Sequence, residues 1–200
     1  MEFIYKKQNC LSKELCETFI NKFENSKISG PGVTSNAGGI DLSENVKKST
    51  DISFYIDDLT KLHIDEGWDE LVNILTKKLK YNVEDYMDKF DILQEFAHFK
   101  PISFNMQKYK PGEGFYEWHA ERTSVLDQMP RVLVWMIYLN DVDDGGTEFK
   151  YQKHKETAEC GKLLIWPAEW MFTHKGEISN TKTKYILTGW FEDFKFDELP

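Results

Sequence analysis

Two rhythms of apolar positions divide the chain. In the first half the spacing is helical: Leu15, Phe19, Ile20 and Phe23 share one stripe, with Ser12 placed to cap it. A longer stripe, Trp68, Leu71, Val72, Leu75, Leu79, Val83, Tyr86 and Phe90, predicts one or two helices with a break near Tyr81. Short strand-like runs fall at 3–6 and 51–56. Between them, residues 26–45 are rich in Gly, Ser and Asn, including Gly30-Pro31-Gly32 and Gly38-Gly39. This composition predicts an irregular loop, long enough to close over a ligand.

Beyond Phe99 the rhythm shortens. Runs at 104–109, 132–139, 163–166 and 185–191 are rich in β-branched and aromatic residues and alternate with Gly, Asp and Pro turns. Helices followed by many short strands predict an α+β domain in which helices brace a β-sandwich or barrel. The charged tail 192–200 reads as a solvated end.

Composition narrows the class. A chain of 200 residues with 40% apolar and 14% aromatic residues suits one domain with a packed core. No apolar run approaches the roughly 18 residues of a membrane span, so no membrane partner is expected. Residues 1–7 do not read as a secretion signal. The cysteines, Cys10, Cys16 and Cys160, are odd in number and lack metal-site spacing, which points to reduced thiols in a cytoplasmic protein. A formal charge of −9, with Arg122 and Arg131 the only arginines, disfavours a nucleic-acid partner. A small acidic cosubstrate remains compatible, because one lysine can bind it. Neither arginine is assigned a site role at this level.

Candidate chemistry sits in the second half. His119-Ala120-Glu121 lies in a strand-like stretch, where residues two apart share a face, and His174 can supply a third ligand. Two imidazoles and a carboxylate cover one triangular face of an octahedral ion and leave about three positions open, a set that suits Fe(II). Alone the signal is weak, since His-x-Glu pairs arise by chance. His63, His98 and His154 have no such partner and read as structural or exposed. In the last strand, alternation puts Lys184, Ile186, Thr188 and Trp190 on one face, which would line a cavity.

The order of motifs around these residues is more specific. Tyr109-Lys110-Pro111-Gly112 leads through Tyr116 to His119. Tyr138-Leu139-Asn140-Asp141, Gly145-Gly146-Thr147-Glu148-Phe149 and Gly161–Trp166 follow, and the series closes with His174 and Lys184–Phe191. From about Phe104 to Phe191 the sequence resembles the prolyl 4-hydroxylase-like branch of the 2-oxoglutarate/Fe(II)-dependent oxygenases. The resemblance implies a double-stranded β-helix, the cupin-like jelly-roll, over 99–194, braced by helices and a loop in 1–98 within one domain. It implies Fe(II) held by His119, Glu121 and His174, with O₂ as the other reactant and ascorbate as a candidate reductant. Lys184 would pair with the distal carboxylate of 2-oxoglutarate, helped by Tyr138 and Thr188, with Tyr109 facing the cosubstrate or the entrance. Tyr116 and Trp190 would shape the substrate pocket.

The implied reaction is hydroxylation of a prolyl residue in a peptide or protein, with release of succinate and CO₂. One position departs from the pattern: Glu121 stands where prolyl hydroxylases have Asp, moving the ligand oxygen outward by one methylene. Some members of the broader superfamily accept Glu there, so altered backbone spacing is the expectation. Two alternatives stay open. One is a different target, such as another side chain, a free amino acid or a small metabolite. The other is an inactive metal- or peptide-binding module, which would have no need of Lys184 and Tyr138 as a cosubstrate anchor.

Overall fold

A computed structural model describes residues 3–36, 39–41, 44–96, 100–122 and 131–192. The Ser12 side chain accepts the Leu15 N–H at 3.2 Å and starts α1 (Lys13–Asn25), which buries Cys16, Phe19 and Phe23. α2 (Lys61–Asp65) begins at a capping box between Thr60 and His63. α3 (Trp68–Met87) runs for 20 residues without the break expected at Tyr81. Tyr81 is 65% exposed while Leu79, Asn82, Val83 and Tyr86 continue the buried stripe. An aromatic residue on the solvent face interrupts the apolar pattern but does nothing to the backbone hydrogen bonds.

The first strands are β1 (Tyr5–Lys7), β2 (Gly30–Pro31), β3 (Thr34–Asn36), β4 (Gly39–Asp41), β5 (Thr50–Tyr55) and β6 (Lys100–Tyr109). They are followed by β7 (Arg131–Tyr138), β8 (Val142–Phe149), β9 (His154–Ala158), β10 (Leu163–Pro167), β11 (His174–Gly176) and β12 (Lys184–Glu192). Seven of them form the major antiparallel sheet in the order β1-β10-β7-β12-β6-β5-β2, and three form the minor sheet β11-β8-β9. This is the expected jelly-roll with helices at its N-terminal side.

Segment 26–45 is more ordered than its composition predicts. β2 extends the edge of the major sheet beside β5, and β3 and β4 make a separate hairpin. Gly32 donates to Ser49 O at 2.9 Å, and a Cβ there would lie 2.0 Å from Ser49 Oγ, so the approach needs glycine. The double glycine Gly145-Gly146 lies inside β8, where the pairing with β9 shifts register between Val142 and Thr147. A Cβ on Gly146 would meet Glu156 O at 2.0 Å. Residues 123–130, His98 and the tail beyond Glu192 lie outside the described residues.

Strand alternation splits the interior in two. Leu133, Trp135 and Ile137 of β7, Leu163 and Ile165 of β10 and Leu187 of β12 pack with the helices. Val134, Met136 and Tyr138, Leu164 and Trp166, and Ile186 point the other way, between the two sheets. The major sheet is therefore covered on both faces, which is why β7 reads as a nearly unbroken apolar run. The space between the sheets holds the polar residues considered next. Among the described residues no helix is long and apolar enough to cross a membrane. The cysteines are free thiols, Cys10 and Cys16 buried and Cys160 half-buried.

Candidate active site

His174 opens β11, opposite Phe149 of β8. His119 lies outside the named strands, contrary to the strand expected for 119–121, and is held by a two-way bridge to His174. His119 N–H donates to His174 O at 3.0 Å and His174 N–H donates to His119 O at 2.8 Å. Two hydrogen bonds thus replace a strand, and they fix the two backbones side by side.

Each imidazole is then oriented by its own chain. His119 Nδ1 lies 3.1 Å from Glu117 O, and His174 Nδ1 lies 2.9 Å from Phe172 O. A carbonyl can only accept, so each Nδ1 carries the proton and each Nε2 presents a lone pair to the cavity. Phe115 stacks on His119 with ring centroids 3.9 Å apart, and the Trp166 ring meets His174 edge-on at 5.0 Å. Burial, followed by the neighbouring His119, pushes the His174 pKa down to about 4, so its imidazole is neutral at ordinary pH.

Glu121 completes the set. Its Oε1 lies 3.6 Å from His119 Nε2 and 3.7 Å from His174 Nε2. Its Oε2 accepts from Trp190 Nε1 at 2.8 Å and from Arg131 Nη1 at 3.2 Å. Burial alone would raise the Glu121 pKa, but His119, His174, Arg131 and the Trp190 N–H together hold it below the usual carboxylate value. The donor atoms of His119, Glu121 and His174 all lie within 4.8 Å of one another. The 3.6 and 3.7 Å separations from Glu121 Oε1 to the two Nε2 atoms are within what one ion with bonds of about 2.1 Å can span. The donor set therefore fits a divalent metal.

A cavity of about 290 Å³ connects this triad to Lys184. Lys184 is 5% exposed, and its Nζ donates to Glu177 O at 2.8 Å. No carboxylate among the described residues lies within ion-pairing distance of it. Burial pushes its pKa down to about 8, against the opposing pull of Glu177 and Asp144. A buried ammonium satisfied by a single carbonyl fits an incoming carboxylate. Gly176 leaves the room, since a Cβ there would sit 3.3 Å from Nζ. The Tyr138 hydroxyl shares a 2.6 Å hydrogen bond with Thr147 Oγ1 on the cavity wall.

The remaining expected residues fall out unevenly. Tyr109 lines the cavity and donates to Gln107 Oε1 at 2.8 Å, with its hydroxyl held neutral by burial and by nearby Asp51. Thr188 also lines it, but its hydroxyl donates to Trp135 O at 3.2 Å, so that proton is committed to the backbone. Trp190 lines the cavity and touches the triad directly. Tyr116 does not line it: its hydroxyl donates to Gly112 O at 3.0 Å, and the preceding Phe115 points inward instead. His63 caps α2 and packs on Phe54. His154, expected to have no such partner, pairs with Glu156 two residues on, away from the triad.

Sequence reasoning missed Phe115, Thr147, Arg131, Lys47 and Gln107 on the cavity wall. Period-two alternation from Tyr109 would have found Gln107. Arg131 carried no such signal. Two residues of β7, Val132 and Leu133, both pack on the helix side, and the pairing of β12 shifts from Phe191↔Leu133 to Glu192↔Arg131. The extra residue turns Arg131 back toward the cavity.

A jelly-roll that gathers two imidazoles, a carboxylate and a buried lysine around one cavity defines the class as a jelly-roll protein with a candidate metal centre. Residues 104–192 match the model of the 2OG-Fe(II) oxygenase superfamily. That superfamily implies Fe(II), 2-oxoglutarate and O₂. Solved structures share the fold over nearly the whole chain. The viral collagen prolyl hydroxylase of Paramecium bursaria Chlorella virus-1, in its 2-oxoglutarate complex, has a TM-score of 0.67 at 16% identity, covering 96% of this chain and 97% of its own. A Pseudomonas putida prolyl-4-hydroxylase has a TM-score of 0.59 at 13% identity, with 98% and 95% covered. A Trichoplax adhaerens prolyl hydroxylase, in complex with a hypoxia inducible factor peptide fragment, has a TM-score of 0.69 at 13% identity, with 96% and 84% covered. No curated protein sequence matches the chain.

Proposed function

We propose that the protein hydroxylates a prolyl residue of a peptide or protein, consuming 2-oxoglutarate and O₂ and releasing succinate and CO₂. The observation that carries this reading is the single cavity joining the His119, Glu121 and His174 donors to the buried ammonium of Lys184. His119 Nε2, Glu121 Oε1 and His174 Nε2 would hold Fe(II). Lys184, with the hydroxyls of Tyr138 and Thr147, would hold the distal carboxylate of 2-oxoglutarate. When bound, iron and 2-oxoglutarate supply the oxidising power that replaces a C–H bond of the target with C–OH.

The chain's own residues do the rest. The backbone-bound Nδ1 atoms keep both imidazoles aimed with Nε2 toward the cavity, and the Phe115 and Trp166 rings pack against them. Likeness to collagen-type, bacterial and peptide-bound prolyl hydroxylases supports the prolyl target. Val33 and Thr34, from the segment carrying β2 to β4, line the cavity, which supports a role for that segment over a bound peptide. Ascorbate would serve as the reductant that restores Fe(II) after uncoupled turnover.

A second reading, a polar target such as a free amino acid, draws on Lys47, Asn105 and Gln107 in the cavity wall. One assay separates them: anaerobic Fe(II) and 2-oxoglutarate loading, then O₂ addition and succinate detection with proline-containing peptides or free amino acids. Peptide-stimulated succinate that disappears in His174→Ala is the expected result. Stimulation by free amino acids alone would replace the prolyl reading with the second one.

A further inference from the structure

Glu121 is one methylene longer than the aspartate of prolyl hydroxylases, and that extra bond gives its carboxylate freedom to bind a metal through one oxygen or two. Inside this cavity the freedom is removed. Trp190 Nε1 and Arg131 Nη1 donate to Oε2 at 2.8 and 3.2 Å, while Oε1 alone faces the two Nε2 atoms. The two donors are themselves a unit: the Arg131 guanidinium lies 3.6 Å from the Trp190 ring centroid. Arg131 Nη1 also reaches the Glu121 carbonyl at 3.4 Å, so the guanidinium spans backbone and side chain of one residue. Arg131 Nε is buried with no hydrogen-bond partner, so the guanidinium sits where Trp190 and Glu121 hold it, at a cost in unsatisfied polarity.

We infer that Arg131 and Trp190 are positioning residues that clamp the outer oxygen of Glu121, keep the longer side chain a one-oxygen ligand, and so preserve open metal positions. The inference rests on the metal-binding reading of the site. The clamp explains how a glutamate occupies the position: the stacked pair takes up the added length by holding Oε2 away from the imidazoles. A shorter aspartate would not reach both donors.

The test is a double-mutant cycle read by Co(II) binding to the metal-free protein, by affinity and by visible d–d absorption, with no turnover involved. Trp190→Phe keeps the ring and removes the N–H. It is expected to weaken Co(II) binding by about tenfold or more and to dim the d–d bands as Glu121 adds its second oxygen. Arg131→Met is expected to act in the same direction, and Arg131→Lys to recover part of the loss. In a Glu121→Asp background the same changes are expected to cost less than about twofold, because the target oxygen has moved. Equal losses in both backgrounds with unchanged bands would mean that the pair only packs, and would overturn the clamp. Should Trp190→Phe fail to fold, the Arg131→Lys cycle decides by the same criterion. Full Co(II) affinity in His174→Ala would overturn the metal reading itself, a result distinct from additivity in the cycle.

Discussion

Lys184 Nζ donates to Glu177 O at 2.8 Å and reaches no carboxylate among the described residues, although it is buried in the wall of the cavity that the triad also lines. A cation desolvated without a direct ion-pair partner is costly, and the cost is recovered when an anion enters. The cavity is in this sense built for a ligand carrying a carboxylate.

Lys184→Met is expected to weaken 2-oxoglutarate binding by about 10- to 100-fold, the range for losing a charged hydrogen bond of about 1.5–3 kcal/mol. Co(II) affinity should be unchanged. Calorimetric titration of the metal-loaded protein checks both, and a matching loss of metal affinity would instead point to a general structural defect.

The same lysine gives a pH dependence. Burial pushes its pKa down to about 8, below the usual value near 10.4. Only the ammonium pairs with a carboxylate, so 2-oxoglutarate affinity should hold at lower pH and fall as pH rises through about 8. In the cosubstrate-free protein the unfolded chain keeps the proton longer than the native one across that window. The unfolded state then binds more protons, and this residue's contribution to stability rises with pH from about 8 to about 10.4. Both trends should vanish in Lys184→Met.

Removing a triad ligand is expected to abolish activity while leaving the fold. His174→Ala should lower Fe(II) affinity and 2-oxoglutarate turnover by at least about 100-fold. Chelation of the wild type should give the same silence, reversed by adding Fe(II). Near-native turnover in His174→Ala would remove this residue from the metal site.

Two changes far from the cavity test the scaffold. Leu75 is fully buried in α3, and Leu75→Ala should cost about 2–5 kcal/mol of unfolding free energy. Ser12→Ala removes the cap of α1 and should cost about 1 kcal/mol. Denaturant unfolding reads both, and metal affinity of the folded fraction should not move.

Much of this was legible in sequence because it depends on local periodicity. The cap at Ser12, the stripe from Trp68 to Tyr86, and the alternation that sends Lys184, Ile186, Thr188 and Trp190 to the cavity are short-range consequences of 3.6- and 2-residue repeats. The pairing of His119 and Glu121 with His174 came from the order of motifs, and the structure places their donors within 4.8 Å. The hairpin in segment 26–45 was hidden because Gly, Ser and Asn carry little strand propensity, and neighbouring strands supply what the side chains do not.

The sequence by itself determined α1, α3, half of the strands and the alternating faces of β12, since each follows from chemistry within a few positions. Only the tertiary structure decided which neighbours complete the site. Tyr116 turns outward while Phe115 covers His119, and Thr147 rather than Thr188 shares its hydroxyl with Tyr138. Arg131 enters the cavity because an extra residue in β7 reverses its facing, and there it meets Trp190 and Glu121 from distant parts of the chain. A bulge is a compromise between strands that must pair, so the direction of the side chains beyond it is set by the partner strand and is not written in either segment alone.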